Sequence, residues 1–161
     1  MRAQQNAFDP YAQTHNRLLA LSRTGHVIDK VSLRIIGGTW SYYPKAYRAW
    51  FVRRCFQACN DFGAKRKSHH FQSLDEAQQI NETAACRLIE ISVETRQDLV
   101  GFDEVAHLRR LGVTKVEFGV QSLYDDVLEI NRRGHNVAAT IAATKRLKNA
   151  GFKISYQMML N

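Results

Sequence analysis

Four short runs of this sequence turn from apolar to polar, and each carries groups able to hold a small polar ligand. Val31 to Ile36 leads into Gly37-Gly38-Thr39, and Leu88 to Val93 leads into Glu94-Thr95-Arg96. Val113 to Val120 leads into Gln121-Ser122, and Phe152 to Met159 carries Gln157. Adjacent glycines let a backbone approach a ligand with unhindered N–H and C=O groups, although a lone pair of glycines is equally a tight turn. Glu94, at the edge of an apolar run, can accept two hydroxyl hydrogen bonds of the kind a ribose diol offers, or pair with Arg96. Gln121 donates and accepts at once, which suits an amide or adenosine but also a purely structural hydrogen bond. Arg133, in the loop INRRGH (130–135), can grip a carboxylate with two parallel bonds or stand as an exposed cation.

Such residues act together only if the chain brings the four endings to one edge. The hydrophobic patterning supplies the elements to do so. YAQTHNRLLALSRT (11–24) reads as an amphipathic helix stopped at Gly25. Pro44 suits the first turn of a second helix that ends at Gly63. A polar, basic loop spans 64–72. Ser73-Leu74-Asp75-Glu76 is a capping box opening a helix to about Ala85. Asp103 is expected to cap a short helix closed by Gly112, and Asn136 to open VAATIAATKRLKNA (137–150), ended by Gly151. Strands alternating with helices imply a parallel sheet with crossover helices, and in such sheets the carboxyl ends of the strands form the ligand face.

Composition narrows the classes. The chain has 161 residues, 45% hydrophobic and 24% charged, as expected for one globular domain with a real core. No apolar run approaches the ~20 residues of a membrane helix. The N-terminal residues contain no secretory signal pattern, so a cytoplasmic address is expected. Cys55, Cys59 and Cys86 are odd in number and do not suggest a disulfide framework. Cys55 and Cys59 share a helix face, but a closed zinc site needs two more ligands, so all three read as buried, inert thiols. The net charge is +8. Residues 45–67 hold seven Lys/Arg against one acid, a block able to meet phosphates or simply to form a solvated helix face.

Several of these motifs resemble one family. GGT (37–39), VETRQD (93–98), EFGVQS (117–122), NRRGH (131–135) and YQMMLN (156–161) are similar to the radical S-adenosylmethionine (SAM) enzymes. FDPYAQTHNR (8–17) and IIGGTWSYYP (35–44) narrow the resemblance to the Elongator catalytic-subunit family of tRNA carboxymethyluridine synthases. The likeness runs from about Ala7 to Asn161.

The resemblance implies an α/β fold, a parallel, partial (β/α)6 TIM-like barrel of which about four strands are present. Residues 1–161 would be the central part of one radical SAM domain. The cluster-binding first strand would precede it and an acetyltransferase domain would follow. Gly37, Gly38 and Thr39 inherit contact with the SAM amino group. Glu94 matches the acid that binds the SAM ribose, and Gln121 and Arg133 match the pair contacting ribose and carboxylate. Gln157 lies on a strand that supplies a further polar contact. The implied reaction joins a carboxymethyl carbon from acetyl-CoA to the wobble uridine of tRNA through a deoxyadenosyl radical. It requires a 4Fe–4S cluster whose ligands would lie outside this chain, since Cys55 and Cys59 follow the glycine turn. This chain alone is therefore expected to be inactive, and no catalytic residue or metal ligand is assigned within it. Gln97 and Leu160 depart from the family, which has proline at both places. Lys45, Arg48, Arg53, Lys65, Arg66 and Lys67 become candidate tRNA contacts. The implied partners are tRNA and acetyl-CoA, in a homodimer or an Elongator-like assembly, with no membrane. Two alternatives stand beside this reading: a coproporphyrinogen-oxidase-like radical SAM enzyme, which shares the Glu94, Gln121 and Arg133 pattern, and a non-catalytic basic RNA-binding fragment, which the charge excess suggests.

Overall fold

A computed structural model of the chain describes residues 2–64 and 73–159. The basic candidates Lys65, Arg66 and Lys67 lie outside the described residues. Seven helices are described: α1 (Arg2–Gln5), α2 (Pro10–Arg23), α3 (Lys45–Asp61), α4 (Leu74–Asn81), α5 (Phe102–Arg110), α6 (Asp125–Ile130) and α7 (Val137–Asn149). Four strands accompany them: β1 (Lys30–Ile35), β2 (Arg87–Thr95), β3 (Lys115–Gln121) and β4 (Lys153–Met158). The strands form one sheet in chain order, β1-β2-β3-β4. β2 pairs parallel with β3, and β3 parallel with β4. The expected α/β alternation and parallel sheet are both present.

The chain divides into two compact units. The first comprises Met1–Ser32 and Lys45–Ile89. Here α2 starts cleanly because Asp9 accepts the Tyr11 N–H and Pro10 needs no donor in the first turn. Arg54 of α3 reaches back to the Asp9 carboxylate at 3.0 Å. Leu18, Cys59 and Cys86 make a fully buried cluster, lined by Ile28, Val31, Phe62 and Leu88. α4 opens on the anticipated capping box between Ser73 and Glu76.

α4 ends at Asn81 rather than near Ala85. The Asn81 side chain is the reason. Its amide donates to Asn60 Oδ1 at 2.6 Å and to the Cys86 carbonyl at 3.1 Å, and its Oδ1 accepts the Leu88 N–H at 2.7 Å. Asn60 in turn donates to the Ala77 carbonyl at 2.9 Å. One buried amide thus stops a helix and starts β2, satisfying backbone groups that would otherwise be orphaned.

The second unit comprises Leu33–Pro44 and Glu90–Asn161. Its strands alternate, and the two faces differ in kind. Val93, Val116, Phe118 and Val120 are buried, and Phe118 stacks on its register partner Tyr156 at 6.4 Å. The opposite face carries Arg34, Ser92, Glu94, Glu117 and Gln157, joined to one another by hydrogen bonds. A parallel sheet covered by helices on both sides is ordinarily apolar on both. A polar face is what a ligand-lining surface requires. α7 opens on Asn136 as anticipated, its side chain accepting the Ala139 N–H. α5 is capped by Gly101 rather than by Asp103, which falls in the first turn. There its charge favours the helix dipole without making a cap.

Asn81→Ala removes one acceptor and two donor bonds from a buried site. It is expected to lower unfolding free energy by about 3 kcal/mol, the scale of leaving buried polar groups unpaired. Urea denaturation followed by circular dichroism measures this.

Candidate functional site

All seven anticipated ligand residues lie in the second unit. Gly37 and Gly38 follow β1 with φ of 124° and 109°, a region that L side chains rarely adopt. A Cβ added to either would meet nothing within 4 Å, so the turn is open rather than jammed against protein. The residues after it are tied down. Ser41 accepts from the Thr95 hydroxyl at 2.6 Å and donates to Glu104 Oε1 at 2.8 Å. This relay anchors the glycine turn to the end of β2 and to α5. Thr39 precedes a single 3-10 turn, Trp40–Tyr42, its carbonyl accepting the Tyr42 N–H.

Glu94 and Gln157 are brought together, Gln157 Nε2 donating to Glu94 Oε1 at 3.2 Å. The same oxygen receives Arg34 Nη2 at 3.3 Å. Glu94 Oε2 accepts no hydrogen bond from the described residues, which leaves one carboxylate oxygen for a ligand. Gln121 and Arg133 are also brought together. A Cβ on Gly119 would sit 2.9 Å from Gln121 Nε2 and 3.3 Å from an Arg133 guanidinium nitrogen. Arg133 also reaches the Gly119 carbonyl at 3.4 Å. Gly119 is thus the floor on which both side chains lie, the usual meaning of glycine inside a strand. Gln121 has φ of 67° at a break in the β3–β4 register. A non-glycine residue held there is strained, and such strain concentrates at functional positions. Gln121 and Arg133 border a cleft of about 590 Å³ that also includes Tyr124, Asn131 and Met158.

Arg34, Ser92 and Glu117 escaped the reading of strand endings, because they lie inside the strands. The available signal was polar residues at alternate positions of apolar runs. Glu117 accepts Ser92 Oγ at 2.6 Å and Arg34 Nη2 at 2.5 Å, with Lys115 Nζ at 3.5 Å. Burial pushes its carboxyl upward, but the Ser92 hydroxyl, the Arg34 hydrogen bond and charge, and Lys115 together outweigh this. The result is a value below the ordinary glutamate range.

The basic block needs correction. Arg48 is only 2% exposed, so it is not a surface cation and offers no face to a phosphate. Lys45 is exposed at the start of α3. Arg53 is partly buried, its pKa lowered by burial and by the neighbouring Arg54.

The three cysteines belong to the first unit and are buried free thiols. Burial pushes Cys55 up to about 12, and the hydrogen bond to Cys86 together with burial raises Cys59. Among the described residues no group of three His, Cys, Asp or Glu side chains is placed to hold a metal. An iron–sulfur cluster is held by cysteine thiolates, whereas Cys55 and Cys59 are buried groups whose surroundings favour the protonated thiol. No described helix is long and apolar enough to cross a membrane.

Glu117 has a depressed folded pKa, so its contribution to stability is fully present above its ordinary value of 4.5 and is lost as pH falls through the lowered value. Glu117→Gln removes that titration. The variant is expected to lose less of its urea midpoint than the parent between about pH 5 and about pH 3.

The chain is similar to proteins of known name. A tRNA uridine(34) acetyltransferase of Methanocaldococcus infernus is 43% identical over 159 residues, which are 99% of this chain and 28% of that protein. Elongator complex protein 3 of Bos taurus is 35% identical over the same share of each. The solved structure of Methanocaldococcus infernus Elp3 with an N-terminal deletion matches with a TM-score of 0.88 and 43% identity, covering 98% of this chain and 35% of that one. The chain therefore spans less than a third of the length of these curated relatives. The profile of the radical SAM superfamily matches residues 4–160, and with nearly the whole chain so matched, the protein belongs to the radical SAM superfamily.

Proposed function

We propose that this chain forms the SAM-binding part of an enzyme that adds a carboxymethyl group, drawn from acetyl-CoA, to the wobble uridine of tRNA. The observation that carries the reading is that Gln157 bonds Glu94 on the polar sheet face while Gln121 and Arg133 both lie over Gly119 of β3. The relatives' names, tRNA uridine(34) acetyltransferase and Elongator complex protein 3, favour tRNA over the porphyrinogen alternative. Membership of the superfamily implies SAM and a 4Fe–4S cluster. The chain is read as the central part of one such domain.

The residues present fit SAM. In this reading the backbone of Gly37 and Gly38 takes the amino group, and Thr39 lies beside it. The free oxygen of Glu94 accepts the ribose hydroxyls, with Gln121 as a second polar contact. Arg133 pairs with the methionyl carboxylate, where a guanidinium offers two parallel bonds. Gln157 holds Glu94 from the far side. When bound, SAM supplies the radical chemistry for which the superfamily is named. The protein groups orient the nucleoside and hold its charged ends, which is positioning rather than proton transfer. Lys45 and Arg53 remain candidate contacts for tRNA phosphates.

Isothermal titration of the chain with S-adenosylhomocysteine tests the pocket. Glu94→Gln is expected to weaken binding about tenfold or more, the scale of a lost charge-assisted hydrogen bond. Arg133→Met is expected to weaken the same ligand but to leave affinity for 5′-deoxyadenosine, which lacks the carboxylate, unchanged. Absence of binding by the unmodified chain, or equal affinity in Glu94→Gln, would overturn the SAM assignment.

A further inference from the structure

Glu94 and Glu117 are register partners on adjacent parallel strands and project from the same face. Neighbouring strands lie only about 4.8 Å apart, and two carboxylates facing each other at such spacing repel unless a cation intervenes. Arg34 intervenes. Its Nη2 donates both to Glu94 Oε1 at 3.3 Å and to Glu117 Oε2 at 2.5 Å. The two acids differ in setting. The Glu117 side chain is 4% exposed and its other oxygen accepts from Ser92, so it is fully engaged by protein. The Glu94 side chain is 22% exposed, and its Oε1 is held twice, by Arg34 and Gln157. Arg34, at 51%, stands between the buried acid and the open side of the face.

We propose that Arg34 is a positioning residue for Glu94, anchored on the buried carboxylate of Glu117. Arg34 places a cation between the two acids and, with Gln157, holds Oε1 of Glu94, which leaves Oε2 to the ligand. The assignment rests on the reading of Glu94 as the ribose-binding acid. The charged groups facing this site are few. β1 supplies Arg34, β2 supplies Glu90 and Glu94, β3 supplies Lys115 and Glu117, and β4 supplies Lys153. Lys153 is paired with Glu90 at 3.7 Å and Lys115 with Glu117 at 3.5 Å, so Arg34 is the cation in contact with Glu94 among the described residues.

The test compares Arg34→Met, Arg34→Lys and the double variant Arg34→Met with Glu117→Gln, all in the full chain. The double variant removes the buried charge that Arg34→Met would strand, so it serves if the single variant does not fold. Two readings are taken: S-adenosylhomocysteine affinity, and the urea midpoint of each variant, which separates a lost position from a lost fold. In Arg34→Met affinity is expected to fall about tenfold. Arg34→Lys is expected to restore most of it, because it returns a cation without the fork. If the double variant folds, Glu94 is expected to lose its held position and affinity to fall likewise. Unchanged affinity in both Met variants would overturn the proposal, even where Glu94→Gln still weakens binding and the SAM reading stands. Unchanged binding in Glu94→Gln would instead remove the ribose assignment on which the proposal rests.

Discussion

Two carboxylates that share a rung of a parallel ladder must be neutralised before a strand pair can close over them. Glu94 and Glu117 are so placed, and the polar face of the second unit is arranged around their charge. Arg34 bridges them from β1, Ser92 and Lys115 complete the shell of Glu117, and Gln157 arrives from β4 to hold Glu94. Every strand of the sheet contributes at least one member. The value of this network lies less in net stability than in uniqueness of arrangement. Partly buried ion pairs return little free energy once desolvation is counted, but they admit few alternative geometries.

The same economy governs the rest of the site. Gly119 has no side chain, and this absence is what lets Gln121 and Arg133 lie over the backbone of β3. Gln121 turns out of the strand through a strained conformation at the point where the β3–β4 register shifts. The glycine turn after β1 leaves room for an added Cβ at either glycine, and is fastened behind by the Thr95–Ser41–Glu104 relay. Open backbone on a fixed support is what a small charged ligand requires, because binding then costs little ordering of the protein.

The first unit illustrates a different use of buried polarity. Asn81 and Asn60 carry no charge and face no ligand, yet they decide where α4 stops and β2 starts. The nearby thiols of Cys59 and Cys86 fill the core as small apolar groups. Cysteine in this chain is thus packing material, and the chemistry of the site is carried by oxygen, nitrogen and bare backbone.

The sequence by itself determined much of this. The glycine turn, the Ser73 and Asn136 caps and the polar residues closing each strand are local signals, readable over a few neighbouring positions. They were enough to identify a parallel α/β fold, and the motif resemblance named the superfamily. The sequence did not show which polar residues meet. Arg34 reaches Glu94 across 60 positions and Glu117 across 83, distances over which no local pattern carries information. Nor did it show that Arg48 is buried while Lys45, three positions earlier on the same helix, is exposed. Charge and spacing are properties of the chain, whereas burial and pairing arise only when strands take their register and helices choose a face. Tertiary structure therefore decided the partners of Glu94 and which of its two oxygens they hold.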